Sequence, residues 1–349
     1  MIIRPFQPGD EMQANELFNR VFGKARPLED WIWKFGRHPE SMLEAMSVAL
    51  VTGRIVGMYP CVAGRWKVGP SMLTAVQPVE TAIEEGMRGG TMIVELQKTH
   101  AASCERLGVS FAYGTPTEGH ARLGKRRLGY IDLSALPLFR KHLNARLPAV
   151  GFLGGPFRAL YQKSAAVRRG SIRPGADAEG RSITVERQLV DEQFDDLWQR
   201  LSPQYDVIAV RDARHLKWRY FERSTGSEKL CLTANINGQL AGYLILALTR
   251  KRSKRIGIVA DILVPRSGQL AEDLLGHAEK VCLAEGVDYM QAAALPHMDL
   301  YETLLQCGFL KEREAKSIVC VPFSSVDRPL FDDPTRWYFT LGDFDFDEE

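Results

Sequence analysis

The spacing of apolar residues changes period several times along the chain, and each change predicts an element. Met1 to Arg4 reads as a short strand, while Leu17, Phe18, Val21 and Phe22 share one face of a helix from Glu11 to Phe22. Gly23 to Pro27 ends that helix, and Leu28 to Phe35 (LEDWIWKF) predicts an aromatic-rich helical turn. Strands follow at Met46 to Val51 and Arg54 to Tyr59, joined at Thr52-Gly53 as a tight hairpin, and at Val62 to Val68, which turns at Gly69-Pro70. Met72 to Val76 and Val79 to Ile83 continue as β, with Pro78 as an interruption. After Arg88-Gly89-Gly90-Thr91 the period lengthens again, and Met92, Leu96, Thr99, Ser103 and Leu107 mark an amphipathic helix. Val109 to Tyr113 is a further strand, closed by a turn through Pro116, a basic helix and Leu128-Gly129-Tyr130.

The same marks then recur. Trp33-Lys34-Phe35 returns as Trp218-Arg219-Tyr220, and the Gly53 to Gly57 hairpin as Gly238 to Gly242, both offset by 185 residues. Leu107-Gly108-Val109 matches Glu285-Gly286-Val287, and Leu128-Gly129-Tyr130 matches Cys307-Gly308-Phe309. Repetition at this period predicts duplicated domains rather than a solenoid. From hairpin Gly57 to helix-ending Gly108 there are 51 residues, against 44 from Gly242 to Gly286, so the second copy is expected to lack length where the first has its Gly-rich loop. The expected boundaries are 1–143 for the first domain, 144–182 for a connector with one short amphipathic helix, 183–325 for the second domain and 326–349 for an acidic, aromatic tail.

Composition narrows the picture. Length is ample for two cores, and 45 Lys plus Arg against 43 Asp plus Glu give no basic field that would favour nucleic acid. The six cysteines form no C-x-x-C pair and no Cys/His metal spacing, and their apolar surroundings suit reduced thiols, so no metal is expected. Arg4, Pro5 and Asp10 interrupt any early apolar run, and no stretch of eighteen apolar residues occurs, so a soluble, cytoplasmic protein without a membrane span is expected.

Chemistry concentrates around the Gly-rich loop. Two adjacent glycines let backbone N–H groups stand uncovered, and the following helix adds its unpaired first-turn amides, which together make an anion cradle. The alternative is a plain strand-to-helix turn. Glu80, on the strand entering the loop, is a base candidate or an ordinary surface carboxylate. His120, after the Pro116 turn, is the nearby side chain that titrates around neutrality, or else a solvated loop histidine. Trp31, Trp33 and Trp218 offer faces for stacking on a sugar or other acceptor, although the repetition of Trp33 as Trp218 favours a structural helix anchor. Arg122, Lys125, Arg126 and Arg127 suit a phosphate as well as a solvated helix face.

The order of elements, the R-G-x-x loop and the L-G-[YF] close resemble the GNAT superfamily of acyl-CoA-dependent N-acyltransferases. The duplication, the W-[KR]-[FY] marks and the terminal Trp337 to Asp345 resemble tandem members associated with polysaccharide or cell-envelope biosynthesis. The resemblance implies a mixed α/β fold of two tandem GNAT-like domains, each a mostly antiparallel mixed sheet flanked by helices. It implies acetyl-CoA or another acyl-CoA as co-substrate, a small amine such as an amino sugar as acceptor, and allows a homodimer. Thr81, Ala82 and Ile83 would line the pantetheine arm, and Arg88, Gly89, Gly90, Thr91 and Met92 the pyrophosphate. Two positions depart from the family pattern: Thr91 stands where the loop has glycine, and Lys125 where a tyrosine usually protonates the leaving thiolate. A non-catalytic scaffold and a Fem-type aminoacyltransferase using aminoacyl-tRNA are the alternatives.

Overall fold

The computed structural model describes residues 1–88, 91–143, 180–187, 191–223, 226–266, 269–323 and 326–344. Gly89, Gly90, most of the expected connector with its helix, and the last acidic residues lie outside them. The chain divides into two compact units, both discontinuous in sequence. The first joins Met1–Ala135, Tyr205–Thr225 and Lys316–Tyr338; the second joins Leu136–Gln204, Gly226–Ala315 and Phe339–Glu349. Residues 205–225 and 316–338, which lie in the second copy and the tail when the sequence is read linearly, therefore cluster with the first.

In the first unit, β1 (Ile2–Pro5), β2 (Ser47–Val51), β3 (Arg54–Tyr59) and β6 (Ala82–Ile83) form a four-stranded sheet in the order β1-β2-β3-β6, with antiparallel pairs throughout. The hairpin between β2 and β3 turns at Thr52 and Gly53, both at positive φ, as the sequence predicts for a tight two-residue turn. Side chains alternate across this sheet. Val48, Ile55, Met58 and Ala82 face a cluster with Leu17, Trp31 and Phe35, from α1 (Glu11–Phe22), α2 (Leu28–Trp31) and the turn Ile32–Gly36. Ala49, Val56 and Tyr59 face Met92 and Leu96 of α3 (Met92–Arg106), with Ile83 packed alongside.

A second sheet of the first unit contains β4 (Cys61–Val68), β5 (Ser71–Pro78) and β7 (Phe111–Gly114). β10 (Val207–Ala209) and β16 (Trp337–Tyr338) extend it beyond β4, and the end of β15 (Leu310–Pro322) pairs with β7. α4 (Glu118–Arg127) follows β7, and α6 (Ala213–Phe221) and α9 (Arg328–Phe331) come from the later segments.

The second unit holds the end of β8 (Ile131–His142), β14 (Tyr289–Ala293), β13 (Lys254–Leu263), β12 (Gln239–Lys251), β11 (Glu228–Ile236) and β9 (Arg181–Glu186), in that order. α5 (Asp191–Leu201), α7 (Leu270–Ala284) and α8 (Asp299–Gln306) complete it. Antiparallel pairs dominate both units, with β5 against β7, β10 against β16 and β13 against β14 as parallel exceptions. This is the mixed α/β architecture the sequence predicts. Among the described residues no helix is long and apolar enough to cross a membrane.

Candidate functional site

The site begins where the β5–β6 segment breaks. β5 pairs in parallel with β7 at Ala75–Phe111 and Val76–Ala112, and β6 pairs with β3 at Ala82–Met58 and Ile83–Gly57. Between them Val79-Glu80-Thr81 opposes only Tyr59-Pro60, a one-residue bulge, and Glu80 takes φ 53°, a left-handed conformation uncommon for a non-glycine residue. Pro60 has no N–H to keep the ladder intact. The segment therefore leaves β7 and joins the other sheet, and β6 ends that sheet with no strand on its outer edge among the described residues. A splay opens between β6 and β7.

Glu80 is held at this break. Its carboxylate accepts from Arg26 Nη1 at 2.9 and 2.7 Å and from Lys34 Nζ at 2.9 Å, and its side chain is about 10% exposed. Arg26 lies in the loop after α1 and Lys34 in the turn after α2, so the cluster occupies the α1–α2 face. Both oxygens of this carboxylate are taken up by charge-assisted hydrogen bonds. The expected general base is thus held in ion pairs with two cations at the strand break.

Beyond β6, Arg88 is exposed and donates from Nε to the Ile83 carbonyl at 3.1 Å, and Thr91 is the N-cap residue of α3. Thr91 makes no side-chain capping bond, so no side chain satisfies the first-turn amides of α3 from that position. Such a helix end suits an anion. Met92 is buried against the β3 face instead of exposed at the loop, close enough to Gly57 that a Cβ there would meet its sulfur at 2.8 Å. Thr81 and Ile83 are half-buried and Ala82 is buried. Gly89 and Gly90 lie outside the described residues.

Across the splay, on the α3 face, stands a group of side chains. His120, in the first turn of α4, lies 2.8 Å through Nε2 from the Tyr130 hydroxyl, which lies 3.2 Å from the Tyr59 hydroxyl. Burial lowers the His120 pKa below its ordinary value and leaves the ring neutral at pH 7. Burial likewise raises the Tyr130 phenol, opposed by its hydrogen bond with Tyr59. The Tyr130 ring lies against Gly124, where any Cβ would fall 2.1 Å from a ring carbon. Glycine in mid-helix costs helix propensity, and here it makes room for that phenol. Sequence reasoning singled out His120 and missed Tyr130 and Tyr59; Gly124 inside a helical run was the available signal. Lys125 pairs with Asp132 at 2.6 Å on the surface.

The three tryptophans are not surface platforms. Trp31 is 1% exposed, stacked on Phe6 and packed on Phe35. Trp33 and Trp218 stack at 5.4 Å, and each indole N–H donates to the other's carbonyl, at 3.1 and 3.0 Å. Arg223 lies over Trp33, and His38 packs against Trp218 at 3.9 Å. These contacts bury both rings, so neither offers an open face to a sugar. His38 and Arg223 themselves stand 185 residues apart, as Trp33 and Trp218 do, so the contacts repeat reciprocally.

The second unit repeats the registers. Ile256–Tyr289 and Gly257–Met290 match Ala75–Phe111 and Val76–Ala112, and Leu244-Ile245 oppose Ala260-Asp261-Ile262 in the same bulge. Asp261 thereby corresponds to Glu80. It accepts from the Tyr243 hydroxyl at 2.7 Å and the Thr340 hydroxyl at 2.9 Å. Its strands are unbroken, because Ile245 stands in place of Pro60 and the hairpin stays in one sheet. The missing length is shared: Gly57 to Glu80 exceeds Gly242 to Asp261 by four residues, and Glu80 to Met92 exceeds Asp261 to Leu270 by three. The hairpin therefore accounts for more of the deficit than the loop, contrary to the expectation from spacing alone.

Residues 2–130 match the model of the acetyltransferase (GNAT) domain. No curated protein sequence matches the chain. Among solved structures, a GCN5-related N-acetyltransferase from Anabaena variabilis aligns with TM-score 0.64 at 11% identity, covering 93% of this chain and 73% of that one. Eis1 from Mycobacterium abscessus aligns with TM-score 0.60 at 15% identity, over 93% of this chain and 74% of its own. The N-myristoyltransferase of Saccharomyces cerevisiae, solved with bound myristoyl-CoA and inhibitors, aligns with TM-score 0.59 at 12% identity, over 91% and 79%. These likenesses establish a GNAT-type fold over most of the chain.

Proposed function

We propose that the first unit transfers an acyl group from acyl-CoA to the nitrogen of a small primary amine, and that the two halves of the chain derive from a tandem duplication. The observation that carries this reading is the strand break at Val79-Glu80-Thr81. Among the described residues it leaves the outer edge of β6 without a strand, with a helix start that Thr91 does not cap at one end and a Tyr–Tyr–His group near the other.

In this reading the pyrophosphate lies at the start of α3, near Arg88 and Thr91, and the pantetheine arm follows Thr81, Ala82 and Ile83. The match of residues 2–130 to an acetyltransferase domain supports acyl-CoA as the donor. The amine nitrogen attacks the thioester carbonyl and forms the N–C bond. Collapse of the tetrahedral species breaks the C–S bond, and sulfur keeps the electron pair. Tyr130 gives its hydroxyl proton to that sulfur, while Tyr59 O–H and His120 Nε2–H donate to the phenolate left behind. The surplus proton of the acylated nitrogen restores the phenol through His120, so the products are the N-acyl amine and free CoA thiol. Tyr130 would do what a residue at position 125 does in the family pattern.

We assign one acyl-CoA to each chain. In the second unit Asp261 is engaged by Tyr243 and Thr340, and the buried segment Phe339, Thr340 and Leu341 packs with it. The test is calorimetric titration of CoA-free protein with acetyl-CoA, followed by thiol release with an amine panel. One site per chain is expected, and Tyr130→Phe should lower kcat about a hundredfold or more while leaving acetyl-CoA affinity unchanged. Absence of binding at millimolar acetyl-CoA would overturn the reading.

A further inference from the structure

On the α1–α2 face of the break, Arg26 is a built but incomplete fork. Its guanidinium lies 3.7 Å over the Phe18 ring, Nε donates to Asn15 Oδ1 at 2.8 Å, and Nη1 alone serves both oxygens of Glu80. Its backbone is fixed as well, with the N–H donating to Asn19 Oδ1 and the carbonyl accepting from the side-chain amides of Asn15 and Asn19. The side chain is about nine-tenths buried, and Nη2 has no hydrogen-bond partner among the described residues.

An enclosed guanidinium N–H left unpaired is costly, and the fork geometry of arginine matches a carboxylate. Nη1 serves both Glu80 oxygens and Nε serves Asn15, so Nη2 is the one arm left to offer. A donor positioned this firmly, with one arm unused, is preorganised for an anion that arrives from outside. The neighbouring residues Lys24, Ala25 and Pro27 are exposed, so Arg26 sits just beneath the surface of the first unit.

Position in the fold says which ligand this anion belongs to. The α3 start and the Tyr59–Tyr130–His120 group lie on one face of the β1-β2-β3-β6 sheet, and Arg26 with Glu80 on the other. With the acyl-CoA phosphates on the α3 face, the amine reaches the thioester from the α1–α2 face, through the splay beside Glu80. Resting on the acyl-transfer reading, we propose that the acceptor amine also carries a carboxylate, received by Arg26 Nη2, so that the substrate class is a small amino carboxylate. The expected amino sugar fits less well, since the tryptophans that would stack on it are buried.

The test uses the full chain with acetyl-CoA and matched acceptor pairs: glycine and glycinamide, β-alanine and its amide, 4-aminobutyrate and its amide, with glucosamine as an uncarboxylated comparator. The carboxylates should be acylated with kcat/KM about tenfold to a hundredfold above their amides. The same carboxylates should bind the CoA-saturated protein by calorimetry, independently of turnover. Arg26→Lys keeps a cation for Glu80 but removes the second arm, and should abolish the preference without changing acetyl-CoA affinity. Amides or glucosamine used as well as the carboxylates, or a preference that survives Arg26→Lys, would overturn the inference. Acetyl-CoA binding with no carboxylate binding would overturn it alone, with Nη2 satisfied by an enclosed water. Arg26-dependent carboxylate binding without any acetyl-CoA binding would uphold the anion site and defeat the transfer reading instead.

Discussion

The two bulged hairpins place a carboxylate at the same register and treat it in opposite ways. In the first, Pro60 and the left-handed Glu80 break both strands, and the carboxylate is clamped by the cations Arg26 and Lys34. In the second, Ile245 keeps the strands whole, and Asp261 is hydrogen-bonded by the neutral hydroxyls of Tyr243 and Thr340. A single bulge is thus compatible with a sealed sheet; opening it takes a missing backbone N–H, a strained residue and buried charge to hold that residue in place. The left-handed conformation costs about 1–2 kcal/mol, and the Arg26 and Lys34 contacts offset it.

The sharpest way to break this comparison is to remove both carboxylates. Glu80→Ala takes the shared carboxylate from two largely buried cations and should cost about 3–5 kcal/mol, whereas Asp261→Ala removes one acceptor from two hydroxyls and should cost about 1–3 kcal/mol. Urea unfolding followed by tryptophan fluorescence measures both, and equal losses would show that ion pairing is not what distinguishes the two bulges.

Acid should weaken the first unit next. Burial lowers the His100 pKa to about 4 and that of His38 to about 2. The unfolded chain binds these protons first, at its ordinary value near 6.5, so stability is full above that pH and falls as pH drops towards 4. For His100 the loss is on the order of 3 kcal/mol by that linkage. Thermal melts from pH 7 to 4 should show it, and His100→Gln should flatten the slope.

The glycines that let each helix lie on its hairpin sharpen the contrast further. A Cβ at Gly57 meets the flexible end of Met92, and Gly57→Ala should cost less than about 1 kcal/mol. At Gly242 a Cβ meets Val264 and the Leu263 carbonyl oxygen at 3.0 Å, which is backbone, and Gly242→Ala should cost about 1–3 kcal/mol. The smallest effect is expected at the reciprocal indoles: Trp33→Phe and Trp218→Phe each lose about 1 kcal/mol of hydrogen bonding, and the double variant should lose less than the sum.

Local order was legible because it is written in nearest neighbours. The Glu11–Phe22 helix, the Thr52-Gly53 turn and the helix starting at Met92 all follow from spacing and turn chemistry, and the Trp33/Trp218 repeat announced itself by offset. What stayed hidden depends on residues far apart. Nothing near Glu80 in sequence tells that Arg26 and Lys34, 54 and 46 residues away, will claim its oxygens. His120 and Tyr130 are only ten residues apart, yet their hydrogen bond requires the phenol to lie over Gly124, a packing fact with no periodic signature. Repetition pointed Trp33 and Trp218 towards anchoring, but their burial, which decides it, comes from each other across 185 residues.

The discontinuous make-up of the first unit also governs when it can form. Its strands β10 and β16 and helix α6 come from residues 205–225 and 316–338, so a chain emerging from the ribosome cannot close that unit until almost all of it has been made. Trp33 must wait for Trp218, and β7 for Val319 to Pro322. High sequence separation of this kind slows folding and lengthens the time that apolar edges such as β4 and β7 stand open. The nascent first half is therefore a predicted client of chaperones, and severing the coding sequence between residues 143 and 180 would yield two fragments that each lack strands their own sheets require.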